Sequence, residues 1–249
     1  MDDTLTQNHK CHHKFEEKHP AAPDVQLLIQ PHDPHWHKYP LIHAQWGEKG
    51  KMLVQTAKLG SVLQRAFYGS SGKVTLFEQR NFAGRRLDLS SDCQKLSDKN
   101  FPEKCNSVQV ESGAWVGYEH EHFRGRQYLW DMSDRGEYNC TDRWCGQGDS
   151  IASVRSVNQD TNPPRAQLFE RQGFSGRKIE LQDDIPNLMT RYNLNRASSI
   201  RVLGGAWVVY QEPNYRGSHY ILERKDYNNF SDWGAQNSAV GSIRRIRFS

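Results

Sequence analysis

Phe77-Glu78-Gln79-Arg80-Asn81-Phe82-Ala83-Gly84 sets two aromatic residues five positions apart, with a glycine two positions after the second. The same spacing returns at Tyr118, Phe123 and Gly125, at Phe169, Phe174 and Gly176, and at Tyr210, Tyr215 and Gly217. Between 23 and 28 residues after each glycine, a serine opens an alternating or apolar stretch. These stretches are Ser107-Val108-Gln109-Val110, Ser153-Val154-Arg155, Ser199-Ile200-Arg201-Val202 and Ser242-Ile243-Arg244. Four copies at matched spacing make the chain an internal repeat.

The repeat reads as strand and turn. Val74 and Leu76 alternate with Thr75 and Phe77, and Leu87 and Leu89 alternate with Arg86 and Asp88, the period of half-buried strands. Ala114-Trp115-Val116-Gly117-Tyr118 and Ala206-Trp207-Val208-Val209-Tyr210 are short apolar strands, opened by Gly113 and by Gly204-Gly205. No stretch after Lys73 sustains a long helical period, so the fold class is all-β. Aromatics five apart fall on opposite faces of an ideal strand, so each segment must bend back over its sheet if both rings are to serve one surface. The glycine then supplies a left-handed or close-approach position, and the distant serine hydroxyl is expected to bond the irregular backbone of the fold-back.

Spacing also sets the domain count. Gly84 to Gly125 spans 41 residues, Gly125 to Gly176 spans 51, and Gly176 to Gly217 again spans 41. The motifs therefore pair two and two. The expected division is an N-terminal extension over 1–72, a first domain over 73–157 (motifs 73–111 and 112–157), a linker over 158–164, and a second domain over 165–249 (motifs 165–203 and 204–249). The linker run Asn158-Gln159-Asp160-Thr161-Asn162-Pro163-Pro164 is polar and closed by two prolines. A motif of this length cannot cover its own apolar face, so motifs and then domains are expected to pair.

The extension differs in kind. Residues 1 to about 45 hold eight of the eleven histidines and five of the ten prolines, a composition expected to stay disordered. Leu53, Ala57, Val62 and Ala66, with Leu59, Leu63 and Phe67, suggest one short amphipathic helix within Lys51–Phe67, interrupted by Gly60. The start Met1-Asp2-Asp3-Thr4 lacks the basic and apolar regions of a secretory signal, and no stretch reaches the length of a membrane span. Five cysteines, Cys11, Cys93, Cys105, Cys140 and Cys145, read as free thiols in a reducing compartment. The expectation is a soluble cytoplasmic protein that engages no membrane. The 33 basic and 29 acidic residues interleave without a phosphate-tracking stripe, which argues against nucleic acid.

Taken together, the four paired motifs, with Ser112-Gly113-Ala114-Trp115-Val116 and Gly204-Gly205-Ala206-Trp207-Val208 opening the even ones, resemble the βγ-crystallins over about residues 73 to 249. Tyr215-Arg216-Gly217-Ser218-His219-Tyr220-Ile221-Leu222-Glu223 and the ending Ser242-Ile243-Arg244-Arg245-Ile246-Arg247 look most like vertebrate lens β-crystallins. One departure is Trp130-Asp131, where the family commonly carries a glutamate, as Glu223 does in the fourth motif. The resemblance implies two β-sandwich domains, each of two Greek-key motifs. It also implies self-association and association with other β-crystallins, as homo- or heterodimers and larger oligomers, and a structural role as a concentrated refractive protein of the eye lens. The 20 arginines and 27 aromatic residues suit that role, because polarizable groups raise refractive index per mass.

The alternative is a non-lens βγ-crystallin acting as a weak calcium- or metal-binding module. Many members resemble one another in an oxygen-rich loop that binds calcium. The matching stretches here are Pro102–Ser107, Gly148–Ser153, Leu194–Ser199 and Asn237–Ser242, and each lacks at least one oxygen position that a hard cation requires. In the arm, His32, His35, His37 and His43, or Cys11 with His12 and His13, could hold zinc or copper, but no spacing matches a structural zinc site. Cys140 and Cys145 are too far apart for a redox pair, Asp183-Asp184 reads as a solvated turn, and His120, His122 and His219 assemble no triad with a nucleophile. An enzyme is not expected, and no catalytic, cofactor-binding or metal residue is assigned.

Overall fold

The structure is a computed structural model of the chain and describes residues 44–46, 52–54 and 72–249. In the extension, β1 (Ala44–Trp46) and β2 (Met52–Val54) pair antiparallel, Ala44 opposite Val54 and Trp46 opposite Met52. The helix expected within Lys51–Phe67 is therefore corrected at its start: Met52–Val54 is strand. The reason is that β-prone Val54 finds a partner strand in Ala44–Trp46, and tertiary pairing overrides a weak helical spacing. The remainder of that stretch, and the tail expected to be disordered, lie outside the described residues.

The first domain begins with β3 (Lys73–Phe77), β4 (Arg86–Leu89) and β5 (Ser107–Ser112). It continues through β6 (Trp115–His120), β7 (Arg124–Trp130), β8 (Glu137–Tyr138) and β9 (Ser153–Ser156). One sheet runs β4-β3-β5-β8 and the other contains β7-β6-β9. Strand β8 belongs to the second motif yet pairs with β5 of the first, while Cys93 of the first motif bridges to Val154 of β9. Each motif thus completes the other's sheet, the Greek-key exchange that makes one sandwich from two units.

The second domain repeats the plan. It contains β10 (Arg165–Arg171), β11 (Ser175–Leu181) and α1 (Leu188–Tyr192), followed by β12 (Ser199–Gly204) and β13 (Trp207–Glu212). It closes with β14 (Arg216–Leu222), β15 (Asp226–Tyr227) and β16 (Ser242–Arg245). The sheets are β11-β10-β12-β15 and β16-β13-β14, with Ile185 bridging to Ile243 as the exchanged contact. The single-turn helix α1 is capped at its start by Asn187, whose Oδ1 accepts from Thr190 N–H at 2.9 Å, and it stops at left-handed Asn193.

Alternation places the core as the sequence requires. Val74, Leu76, Val108, Val110 and Trp115 face inward in the first domain; Ala166, Leu168, Ile200, Val202 and Trp207 do so in the second. The even motifs are entered through left-handed Gly113 and Gly205, and the following indoles donate back to Ser112 O and Gly204 O, each at 3.1 Å. Finally, β7 pairs antiparallel with β14 at Gln127 and His219, so the inner sheets of the two domains form one six-stranded sheet, β16-β13-β14-β7-β6-β9.

Candidate functional site

The quoted repeat is a fold-back hairpin, the same in all four motifs. Ring centroids of the paired aromatics lie 5.6 Å apart for Phe77 and Phe82, 5.7 Å for Tyr118 and Phe123, 5.7 Å for Phe169 and Phe174, and 5.8 Å for Tyr210 and Tyr215. The glycine is left-handed in each, and so is the second aromatic: Phe82, Phe123, Phe174 and Tyr215 have φ of 60°, 59°, 57° and 60°. Such a conformation costs a bulky residue about 1–3 kcal/mol and persists only where its surroundings enforce it. Here the edge-on or tilted contact of the paired rings and the distant serine do so. Ser107 Oγ accepts from Phe82 N–H at 2.9 Å and donates to Gln79 O at 2.5 Å. Ser153, Ser199 and Ser242 bridge Phe123 and His120, Phe174 and Arg171, and Tyr215 and Glu212 in the same way. All four serines are fully buried.

The oxygen-bearing loops beside these serines meet in pairs and bond each other. Cys105 N–H donates to Asp149 O at 2.8 Å, and Asn106 Nδ2 reaches both Glu78 O and Asp149 Oδ2. In the second domain Ala197 N–H donates to Ser238 O, Val240 N–H to Asn195 O, and Ala239 N–H to Asn237 Oδ1, at 2.9, 3.0 and 3.0 Å. Oxygens in these four stretches thus already accept protein hydrogen bonds, whereas calcium asks for six to eight of them at one point. Among the described residues no three His, Cys, Asp or Glu side chains gather as metal ligands. The arm residues Cys11, His12, His13, His32, His35, His37 and His43 lie outside the described residues.

The remaining candidates are dispersed. Cys93 and Cys105 are buried thiols of the first core, and burial pushes Cys105 up to about 12, against nucleophilic use. Cys140 and Cys145 are half-buried. His120 and His122 are exposed in the second hairpin. Asp184 is not a solvated acid: it accepts from Arg245 N–H at 2.9 Å, Arg245 Nε at 3.0 Å and Arg247 Nη2 at 2.8 Å. Burial would raise its pKa, but these donors hold it below the ordinary carboxylate value. Asp183, exposed, stands 3.6 Å from Arg245.

The most organised surface is the seam between the domains, related across an approximate two-fold axis. Its apolar centre sets Ala114, Val116 and Leu129 against Ala206, Val208 and Ile221, which are counterparts in the repeat. Gln127 and His219 each stand two residues after their motif glycine. Gln127 Oε1 accepts from Ile221 N–H and its Nε2 donates to Trp233 O, both at 3.0 Å; His219 Nε2 accepts from Leu129 N–H at 3.1 Å. Two ion pairs flank them: Arg155 with Glu223 at 2.9 Å and Arg244 with Asp131 at 2.7 Å. Arg155 Nε also donates to Tyr118 Oη at 2.8 Å. Burial opposes ionisation of Asp131, yet the Arg244 charge and its hydrogen bonds keep its pKa below the usual value. The departure at Asp131 therefore has a role: it and Glu223 are the two acids of the seam.

Sequence reasoning reached the hairpins and the serines but left Gln127, His219, Arg155 and Arg244 unassigned. A signal was present. Gln127 matches His219, and Arg155 matches Arg244 two residues after the motif serine, at equal offsets in the even motifs.

Comparison with known proteins agrees with this geometry. The Beta/Gamma crystallin family model matches residues 73–157 and 165–246. The chain is 44% identical over 178 residues to gamma-crystallin N-A of Danio rerio, covering 71% of this chain and 96% of that protein. It is 43% identical to gamma-crystallin N of Mus musculus with the same coverage, and 41% identical over 175 residues to gamma-crystallin B of Bos taurus, covering 70% and 97%. These three carry γ names, so they lend no support to the leaning toward the β branch read from Tyr215–Glu223.

Proposed function

The chain belongs to the beta/gamma crystallin family, and on that premise we propose that it is a structural, non-enzymatic refractive protein of the eye lens, held at high concentration in the cytoplasm. The observation that carries the reading is the commitment of the repeat's polar groups to architecture. Motif serines bridge hairpin backbone, Asp184 holds two arginines, and the seam residues tie domain to domain. Two compact sandwiches with interleaved surface charge resist aggregation when crowded. No helix among the described residues is long and apolar enough to cross a membrane.

The proposed partners are further copies of the chain and other crystallins, as dimers and larger oligomers. The proposed domain limits remain 73–157 and 165–249, with 158–164 as linker; the even strand pairing in each half supports that division. Immunolocalisation tests the function: the protein is expected in lens fibre cells, and its absence from lens with enrichment elsewhere would refute the lens role. A clear, non-aggregating solution at high concentration is the matching property expected in vitro.

A further inference from the structure

His219 is the one imidazole at the seam among the described residues, and it is almost fully buried. Its two nitrogens face partners with fixed roles. Gly217 O can only accept, at 3.1 Å from Nδ1, and Leu129 N–H can only donate, at 3.1 Å from Nε2. The ring must therefore be neutral with its proton on Nδ1. Its counterpart Gln127 makes the reciprocal contact, accepting from Ile221 N–H, with a side chain that does not titrate, and its amide nitrogen donates instead to Trp233 O.

We propose that His219 is an acid-labile latch: the domains stay closed on each other while Nε2 is unprotonated, and one proton taken up there opens the seam before either domain core unfolds.

The surroundings hold no compensation for a charge at that nitrogen. On β7, Tyr128 lies edge-on at 6.1 Å, and the Leu129 N–H points its positive end at Nε2. On β13, Tyr210 lies 5.0 Å away. Arg244 on β16 adds a second positive charge, and its partner Asp131 is already held at 2.7 Å. In the turn before β9, Cys145 directs its thiol to Tyr215 O. Protonation would set N–H against N–H in a site closed to water, which leaves both groups unsatisfied. Burial is the main cause that pushes the ring down to about 4 from its ordinary 6.5, with Arg244 contributing in the same direction. An opened seam returns the ring to solvent, where it binds a proton near its ordinary value. The opened form therefore gains the proton between those two values, and opening becomes easier by about tenfold for each unit of falling pH.

Amide hydrogen exchange of the full chain between pH 6.5 and 4.5, corrected for intrinsic rates, measures this directly. Leu129 and Ile221 report the seam, because their amides donate to side chains of the facing domain; Val154, whose amide donates to Cys93 O at 2.9 Å, reports the first core. The expected result is an opening constant at Leu129 and Ile221 that rises about tenfold per pH unit while Val154 stays protected. His219→Gln should keep the seam closed and abolish that slope. A flat profile in the natural chain, the same slope in His219→Gln, or loss of Val154 protection in step with Leu129 would overturn the proposal. If the variant does not fold, the imidazole titration of the natural chain decides. Protonation near 6.5 with Leu129 and Ile221 still protected would refute the latch, and titration only as their protection is lost would sustain it.

Discussion

The two domains share their hairpins and serine bridges but fill the space beneath the seam sheet differently. In the first, Gly117 sits opposite the indole of Trp130, and a Cβ at Gly117 would come within 2.2 Å of that ring. In the second, the counterparts are Val209 and Leu222, both buried. Side-chain volume has moved from one strand to its neighbour while the backbone plan is unchanged. Trp130 then meets Trp144 edge-on at 5.6 Å, a contact with no equivalent around Leu222. Hairpin geometry is thus the invariant of the repeat, and core packing is negotiated inside each domain, as expected when total volume rather than identity must be kept.

Breaking the compensated pair should have the largest effect. Gly117→Val is expected to destabilise the first domain by about 3 kcal/mol or more through overpacking, and Trp130→Leu by about 2–4 kcal/mol through a cavity. The double variant should recover at least ~2 kcal/mol relative to the sum, read from urea unfolding of the first transition. Strict additivity would show that the two residues do not share one volume.

The seam offers the next test, since its two ion pairs are related in position but not in burial. Asp131 is fully enclosed and Glu223 is 19% exposed at its side chain. Asp131→Asn should cost about 2–4 kcal/mol and Glu223→Gln about 1–2 kcal/mol, because the two arginines are equally enclosed, at 13% and 12% exposed, but water can reach the vacated partner position only at Glu223. Equal losses would argue that the seam is more open than its geometry indicates.

Sameness is tested by the hairpins. Ser107→Ala and Ser199→Ala each strand one buried N–H and one carbonyl, so each should cost about 1–3 kcal/mol in its own domain, with similar values for the two. A smaller gain is expected at Cys145, which ends its turn with φ of 56° where the second domain has Gly234 at 89°. Cys145→Gly should raise the first unfolding midpoint by the equivalent of about 0.5–1 kcal/mol. No change in that midpoint would mean the thiol contact with Tyr215 O offsets the strain.

Much of this was legible in residues that local rules govern. The glycine after each aromatic pair, the serine downstream and the alternation around Val74 and Leu168 each reflect a short-range requirement, and they gave the motif count and the all-β class. The left-handed backbone at Phe82 and its counterparts was not readable, because a bulky aromatic ordinarily argues against φ > 0 and only the buried serine and the ring packed edge-on against it enforce it. The seam was hidden for another reason. Gln127 and His219 meet 92 positions apart in sequence, and neither residue type signals a buried bridge on its own. Asp131 did stand out as a departure, yet its meaning needed Arg244, a residue of the other domain.

The seam also bears on how the chain comes into being. On a ribosome the first domain emerges with its half of the apolar seam uncovered, and roughly 90 residues must still be made before the matching half exists. At about 5–20 residues per second that interval lasts ~5–20 s. During it Val116 and Leu129 face solvent beside the unpaired edge of β7, an open template for a neighbouring nascent chain. In a cell that makes this protein in bulk, the hazard to transparency falls at birth, before the second domain arrives to close the edge.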